Sequence, residues 1–175
     1  MSKPFIDSNV VLYLLSGDTV KADKAQTIFE AGGVISVQVL NEVASVCRRK
    51  LKMPWQEVDE LLLAVKTACK VLPLTVASHE QALVLAKRFR FSIYDANIVA
   101  SALLSGAHAL LSEDMQSGML IDGLSIQNPF AVASSQLRSS PTSRSRAAVR
   151  LPMMRAAAIW RSESPWRMRT KACRY

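Results

Sequence analysis

Short runs of aliphatic and β-branched residues alternate along this chain with longer stretches of helical periodicity, and that alternation restricts the fold more than any other feature. Pro4-Phe5-Ile6 reads as the end of a first strand. Val10 to Leu15 and Val20 to Ala31 read as helix, stopped by Gly32-Gly33. Val34-Ile35 is a second short strand, with Ser36 where a helix N-cap would sit. Leu40, Val43, Ala44, Cys47 and Leu51 then recur at helical spacing, and Pro54 opens another helix running to about Cys69. Val71 to Val76 reads as a strand whose Pro73 puts it at a sheet edge. Ser78 to Phe89 and Tyr94 to Leu104 are helical. Ala109-Leu110-Leu111 is a strand, and Leu124 to Gln127 is another, after an Asp122-Gly123 turn. Strands separated by helices imply an α/β fold with a mainly parallel sheet and right-handed crossovers. In such sheets, sites form beyond the carboxyl ends of the strands.

At 175 residues the chain fits one ordinary domain with a tail. Half of it is hydrophobic but only 6% is aromatic, so aliphatic packing must dominate the core. Cys47, Cys69 and Cys173 are odd in number and widely spaced, which argues against a disulfide framework or a structural zinc site. The two histidines, His79 and His108, lie far from every cysteine in sequence, so nothing local suggests a Cys/His catalytic pair. Val10 to Leu15 lacks the basic flank and cleavage site of a secretion signal, and no stretch approaches a bilayer-spanning length. A soluble, cytoplasmic protein is expected.

The net charge of +8 is unevenly distributed. Residues 1–130 hold 12 Lys+Arg against 13 Asp+Glu, whereas residues 131–175 hold 10 against a single acid, Glu163. The domain is therefore expected to span 1–130. The Ser- and Arg-rich remainder, broken by Pro141, Pro152 and Pro165, is expected to be largely disordered, or weakly helical around Arg155 to Trp160. It reads either as a nucleic-acid-binding arm or as an extension with no selected role. No repeat or module organises it, which favours the second reading.

Four acids stand out within 1–130. Asp7 follows the first strand and fits either a crevice carboxylate or an N-cap for the helix starting near Asn9. Glu42 interrupts an apolar helical stripe beside Val43, where an unpaired carboxylate is costly to bury. Arg48 and Arg49 are about two turns away, so a metal or a more distant cation suits it better. Asp95 opens a run of small and apolar residues, and Ser92 three positions earlier gives it capping-box spacing. Asp114 closes the fourth strand; its neighbour Glu113 reads as a solvated loop acid or a cap. Each has an ordinary explanation alone. Four carboxylates converging in one cleft would repel one another, and a hard divalent cation is the usual resolution. Mg2+ or Mn2+ held in this way suits phosphodiester hydrolysis.

The segments Phe5-Ile6-Asp7-Ser8-Asn9-Val10, Leu40-Asn41-Glu42, Tyr94-Asp95-Ala96 and Leu111-Ser112-Glu113-Asp114, with Asp122-Gly123-Leu124 through Asn128-Pro129-Phe130, resemble the motifs of PIN-domain nucleases, in order and spacing, over residues 3 to 130. The nearest subgroup is the VapC-type toxins of bacterial toxin–antitoxin modules. That resemblance implies a three-layer α/β/α sandwich and Mg2+- or Mn2+-dependent endonuclease activity on RNA. It further implies Asp7, Glu42, Asp95 and Asp114 as the acidic quartet, with Ser112 as a supporting hydroxyl. An inhibitory antitoxin protein and a homodimer are the partners it implies. Toxins of this kind usually end near Phe130, so the remaining chain is a departure.

Arg48, Arg49, Lys50 and Lys52 either guide a phosphate backbone or form a solvated helix end favourable to the dipole; Trp55 either stacks a base or anchors a helix start. A non-catalytic interaction module remains the main rival reading. A haloacid-dehalogenase-like phosphatase is disfavoured because Asn9, not a second Asp, stands two residues after Asp7. A Rossmann domain is disfavoured because no G-x-G-x-x-G follows the first strand.

Overall fold

The computed structural model describes residues 3–131; the expectations for the basic segment beyond them lie outside the described residues. Six strands form one sheet: β1 (Phe5–Ile6), β2 (Gly33–Ser36), β3 (Cys69–Leu72), β4 (Ala109–Leu111), β5 (Leu120–Ile121) and β6 (Leu124–Gln127). Their order is β3-β2-β1-β4-β6-β5, with every pair parallel except β5–β6. The helices are α1 (Ser8–Leu12), continued by a 3-10 turn at Tyr13–Leu15, α2 (Thr19–Ala31), α3 (Val37–Arg49), α4 (Trp55–Ala68), α5 (Val76–Phe89) and α6 (Ile93–Leu104). The crossovers β1→β2 and β2→β3 step one way along the sheet, whereas β3→β4 returns past β1. Helices flank this mostly parallel sheet, the expected three-layer α/β/α sandwich.

The core is aliphatic, as the composition requires: Phe5 and Phe29 are its aromatic members beside many Val, Ile, Leu and Ala. The helices sort themselves by periodicity. In α3, Val39, Val43 and Cys47 recur every four residues and are fully buried, one stripe facing inward. In α6, Ala96 to Ala102 are all buried, so small residues let this helix sit close on β2 and β4. At the start of β2, a Cβ added to Gly33 would stand 2.4 Å from Ile6 Cδ1 and 3.1 Å from the Pro4 carbonyl oxygen. Glycine there lets β1 and β2 approach closely. No helix among the described residues is long and apolar enough to cross a membrane.

Two differences from the sequence reading change the sheet. The third strand is Cys69–Leu72 rather than 71–76, and it does lie at a sheet edge. Nothing between Leu61 and Leu72 breaks a helix, so the switch at Cys69 comes from pairing with Gly33–Ser36 in the sheet. Pro73 follows the strand, and Thr75 then opens α5 with a capping box to Ser78. The second difference is β5, which the sequence reading lacks. Leu120–Ile121 turns back on β6 through Asp122 (φ 47°) and Gly123 (φ 92°). Paired positive φ values are what a tight two-residue hairpin needs.

Candidate active site

The strand order reverses direction at β1: its neighbours are β2 and β4, which the chain reaches by opposite crossovers. A sheet that splits in this way leaves a crevice beyond the carboxyl ends of the two diverging strands. Asp7 directly follows β1 and Ser112 directly follows β4. The Asp7 N–H donates to the Leu111 carbonyl at 3.0 Å, so the two strand ends are stitched together.

Asp7 is 4% exposed and caps α1, its Oδ1 accepting from the Ser8 N–H at 2.6 Å. Its Oδ2 accepts from Ser112 Oγ at 2.6 Å and from Asn9 Nδ2 at 3.0 Å. Cap and crevice carboxylate are thus the same residue. Ser112 is fully buried; its oxygen also accepts from Asn9 Nδ2 and from the Met115 N–H, each at 3.2 Å. The hydroxyl uses both acceptor sites and has one proton left, which goes to Asp7.

Glu42 meets Asp7 through Ser8. The Ser8 hydroxyl lies 2.6 Å from Glu42 Oε2 and 3.2 Å from Asp7 Oδ1, and its single proton favours the shorter contact. Gln38, one turn earlier on α3, donates to Glu42 Oε1 at 2.9 Å. Among the described residues no ion pair involves Glu42, so the arginines of α3 do not neutralise it. Burial is the main cause that pushes the Asp7 carboxyl up to about 6. Hydrogen bonds from Ser112 and Ser8 pull against that rise, and the Glu42 charge adds to it.

Asp95 stands half-buried in the first turn of α6, where Ser92 Oγ donates to its Oδ2 at 2.7 Å and accepts from its N–H at 3.1 Å. The N-cap half of the expected capping box is present, but the Asp95 carboxylate accepts from the Ser92 hydroxyl rather than from its backbone N–H. Helix α6 touches α3, β2 and β4. Asp114 is exposed on the loop after β4. Among the described residues, no three Asp, Glu, His or Cys side chains are grouped closely enough to hold a metal ion. Hydrogen bonds therefore unite Asp7, Glu42 and Ser112, and among the described residues none links Asp95 or Asp114 to them.

Glu113 is a correction. Far from being a solvated loop acid, it is half-buried and pairs with Lys21 Nζ at 2.6 Å, while the Tyr13 hydroxyl donates to its other oxygen. Lys21 also donates to the Tyr13 oxygen at 2.9 Å and lies 4.5 Å from the ring centroid. The Glu113 N–H donates to Asn9 Oδ1 at 3.3 Å, which ties this network to Asp7 through Asn9. Sequence reasoning missed Ser8, Gln38 and this trio. The Gln38–Glu42 spacing of four was a readable signal; a contact 92 residues apart was not.

The donor chemistry fits a hard divalent cation. Asp7 and Glu42 share one hydroxyl, both offer oxygen only, and the charged group acting on buried Asp7 is another carboxylate. Ser36, at the carboxyl end of β2 beside β1, adds a fully buried hydroxyl with no hydrogen-bond partner among the described residues.

Comparisons with known proteins agree with this architecture. The sequence matches the PIN domain family over residues 5–116. No curated protein sequence matches it. Among solved structures, the fold is similar to a toxin–antitoxin complex from Klebsiella pneumoniae, with a TM-score of 0.57 and 19% identity, covering 74% of this chain and 99% of that one. It is similar also to VapC20 of Mycobacterium tuberculosis, a sarcin-ricin-loop-cleaving toxin, with a TM-score of 0.54 and 19% identity, covering 63% and 88%. With a family match across most of a sheet whose strand ends carry the acidic motifs, the chain belongs to the PIN domain family.

Proposed function

We propose that this protein is a metal-dependent endoribonuclease acting as the toxin of a toxin–antitoxin pair, with its nuclease unit in residues 1–130. The observation that carries the reading is the Asp7 carboxylate, buried at the strand-order reversal and facing Glu42 across one serine hydroxyl. Asp7 and Glu42, with Asp95 and Asp114, would hold Mg2+ or Mn2+, which when bound would neutralise phosphodiester charge and make a water more acidic. Ser112 and Asn9 fix the orientation of Asp7, and Gln38 and Ser8 fix that of Glu42. Asp95 lies in the first turn of α6, where the helix dipole favours its negative charge. Asp114, exposed on its loop, is open to solvent and substrate.

An antitoxin protein, a homodimer and a cytoplasmic setting belong to the same proposal; similarity to a toxin–antitoxin complex supports the first. The test is to incubate the purified protein with structured and unstructured RNAs, with and without Mn2+, and to map the ends. Cleavage that needs Mn2+ and is lost in Asp95→Asn supports the reading. Undiminished cleavage by that variant contradicts the site assignment.

That no three acids close into one cluster among the described residues favours one alternative, a non-catalytic PIN-like module binding RNA or protein. Thermal unfolding with Mn2+ discriminates between them, because a shared site gains stability from the ion and scattered caps do not.

A further inference from the structure

The last turn of α3 and the turn that leads from it into α4 carry the densest positive charge of the described residues, with Arg48, Arg49, Lys50 and Lys52 falling within five positions. Lys87, Arg88 and Arg90 make the next such group, and there Asp122 pairs with Arg88 at 3.3 Å. Beside the first group stands Trp55, 60% exposed at the start of α4. The Arg48 guanidinium lies 4.8 Å from the Trp55 ring centroid and also donates to the Met53 carbonyl. A large exposed indole held against a cation gains little for the fold.

The turn is rigidly built. The Leu51 N–H reaches back to the Val46 carbonyl at 3.1 Å and the Met53 N–H to the Cys47 carbonyl at 3.0 Å. Met53, 1% exposed, pins the turn from beneath. Lys52 adopts φ 57°, a left-handed conformation that glycine takes at less cost. The strain is retained and a charge is gained, the pattern expected where a functional surface sets the sequence.

We propose that this turn is an RNA-binding surface, on which Trp55, backed by Arg48, stacks an unpaired base while Arg49, Lys50 and Lys52 meet the flanking phosphates. The inference rests on the ribonuclease reading for its choice of partner. RNA is favoured over an acidic protein because it alone uses both the indole face and the charge: every base offers a π-face for stacking, and each neutralised phosphate releases counterions. Residues 1–130 carry a net charge near zero, so a local patch, not the field of the whole domain, must supply attraction there.

The test measures fluorescence anisotropy of a labelled single-stranded 12-nucleotide RNA with the full chain in EDTA, where divalent-ion cleavage is suppressed. Trp55→Ala should weaken binding roughly five- to a hundredfold, and Trp55→Phe should restore most of it. Arg49→Gln with Lys52→Gln should weaken binding and flatten the slope of log K against log salt by about 1.4. Unchanged affinity and slope in both variants, with circular dichroism confirming the fold, would overturn the proposal. So would a labelled poly-glutamate peptide that binds at this turn while the RNA does not respond to either change. Because this assay reads binding without divalent ions, it stands apart from the cleavage test: active-site failure would show in Asp95→Asn, and surface failure in Trp55→Ala.

Discussion

Ser112 Oγ sits 2.6 Å from Asp7 Oδ2, a hydrogen bond between residues 105 positions apart that closes the crevice between β1 and β4. It joins the first and fourth of the chain's acidic motif segments, the two that lie at strand ends, and it pulls against the burial that raises the carboxyl of the most buried acid. Ser112→Ala would leave the Asn9 amide and the Met115 N–H without their shared acceptor and would raise the Asp7 carboxyl further. We expect a loss of about 1–3 kcal/mol in urea unfolding, together with slower RNA cleavage near neutral pH.

The Asp7 shift also predicts how stability varies with pH. Its carboxyl goes from an ordinary 3.8 to about 6 on folding, so the folded state binds the proton more tightly than the unfolded state. That contribution favours folding below pH 4 and is lost as pH rises through about 6. The loss is at most about 3 kcal/mol. Without divalent ions, the Asp7 contribution should make the melting temperature lower at pH 7 than at pH 5. A bound cation favours ionised Asp7, so added Mn2+ should raise the melting temperature more at pH 7 than at pH 5. An equal Mn2+ shift at both values would count against Asp7 as a ligand.

Much of this was legible in the sequence because it is local. Asp7 and Ser112 follow aliphatic runs that could only be strands, and Ser92 with Asp95 has the spacing of a cap. What escaped was non-local. Leu120–Ile121 becomes a strand only because β6 is there to pair with it, and Cys69 leaves the helix only because β2 recruits it. Glu113 looked like a loop acid because its partners, Tyr13 and Lys21, lie about a hundred residues away, on the 3-10 turn and on α2.

That trio yields a test of its own. The Lys21–Glu113 pair is partly shielded from solvent and anchors the loop carrying Ser112 and Asp114 to the start of α2. Glu113→Ala should cost about 1 kcal/mol and speed hydrogen exchange at Met115. Reversing the pair, Lys21→Glu with Glu113→Lys, should recover part of the loss; no recovery would show that the charges are not coupled.

Gly33→Ala probes the seam beneath the site. The added methyl would meet Ile6 Cδ1 at 2.4 Å and Cγ1 at 2.9 Å, with the Pro4 carbonyl behind them. Ile6 immediately precedes Asp7, so relief of the clash displaces the site itself. We expect a destabilisation of about 1–3 kcal/mol in chemical unfolding and a fall in RNA cleavage larger than that loss of folded protein explains.

The central claim is that Asp7 and Glu42 form the core of a site for one divalent ion. Electron paramagnetic resonance of Mn2+ titrated into the protein counts bound ions directly, since the free-ion signal falls as each is taken up. The account predicts saturable uptake by the wild-type chain that is lost in both Asp7→Ala and Glu42→Ala while the fold persists. Uptake unchanged by either substitution, or none in the wild type, would contradict it.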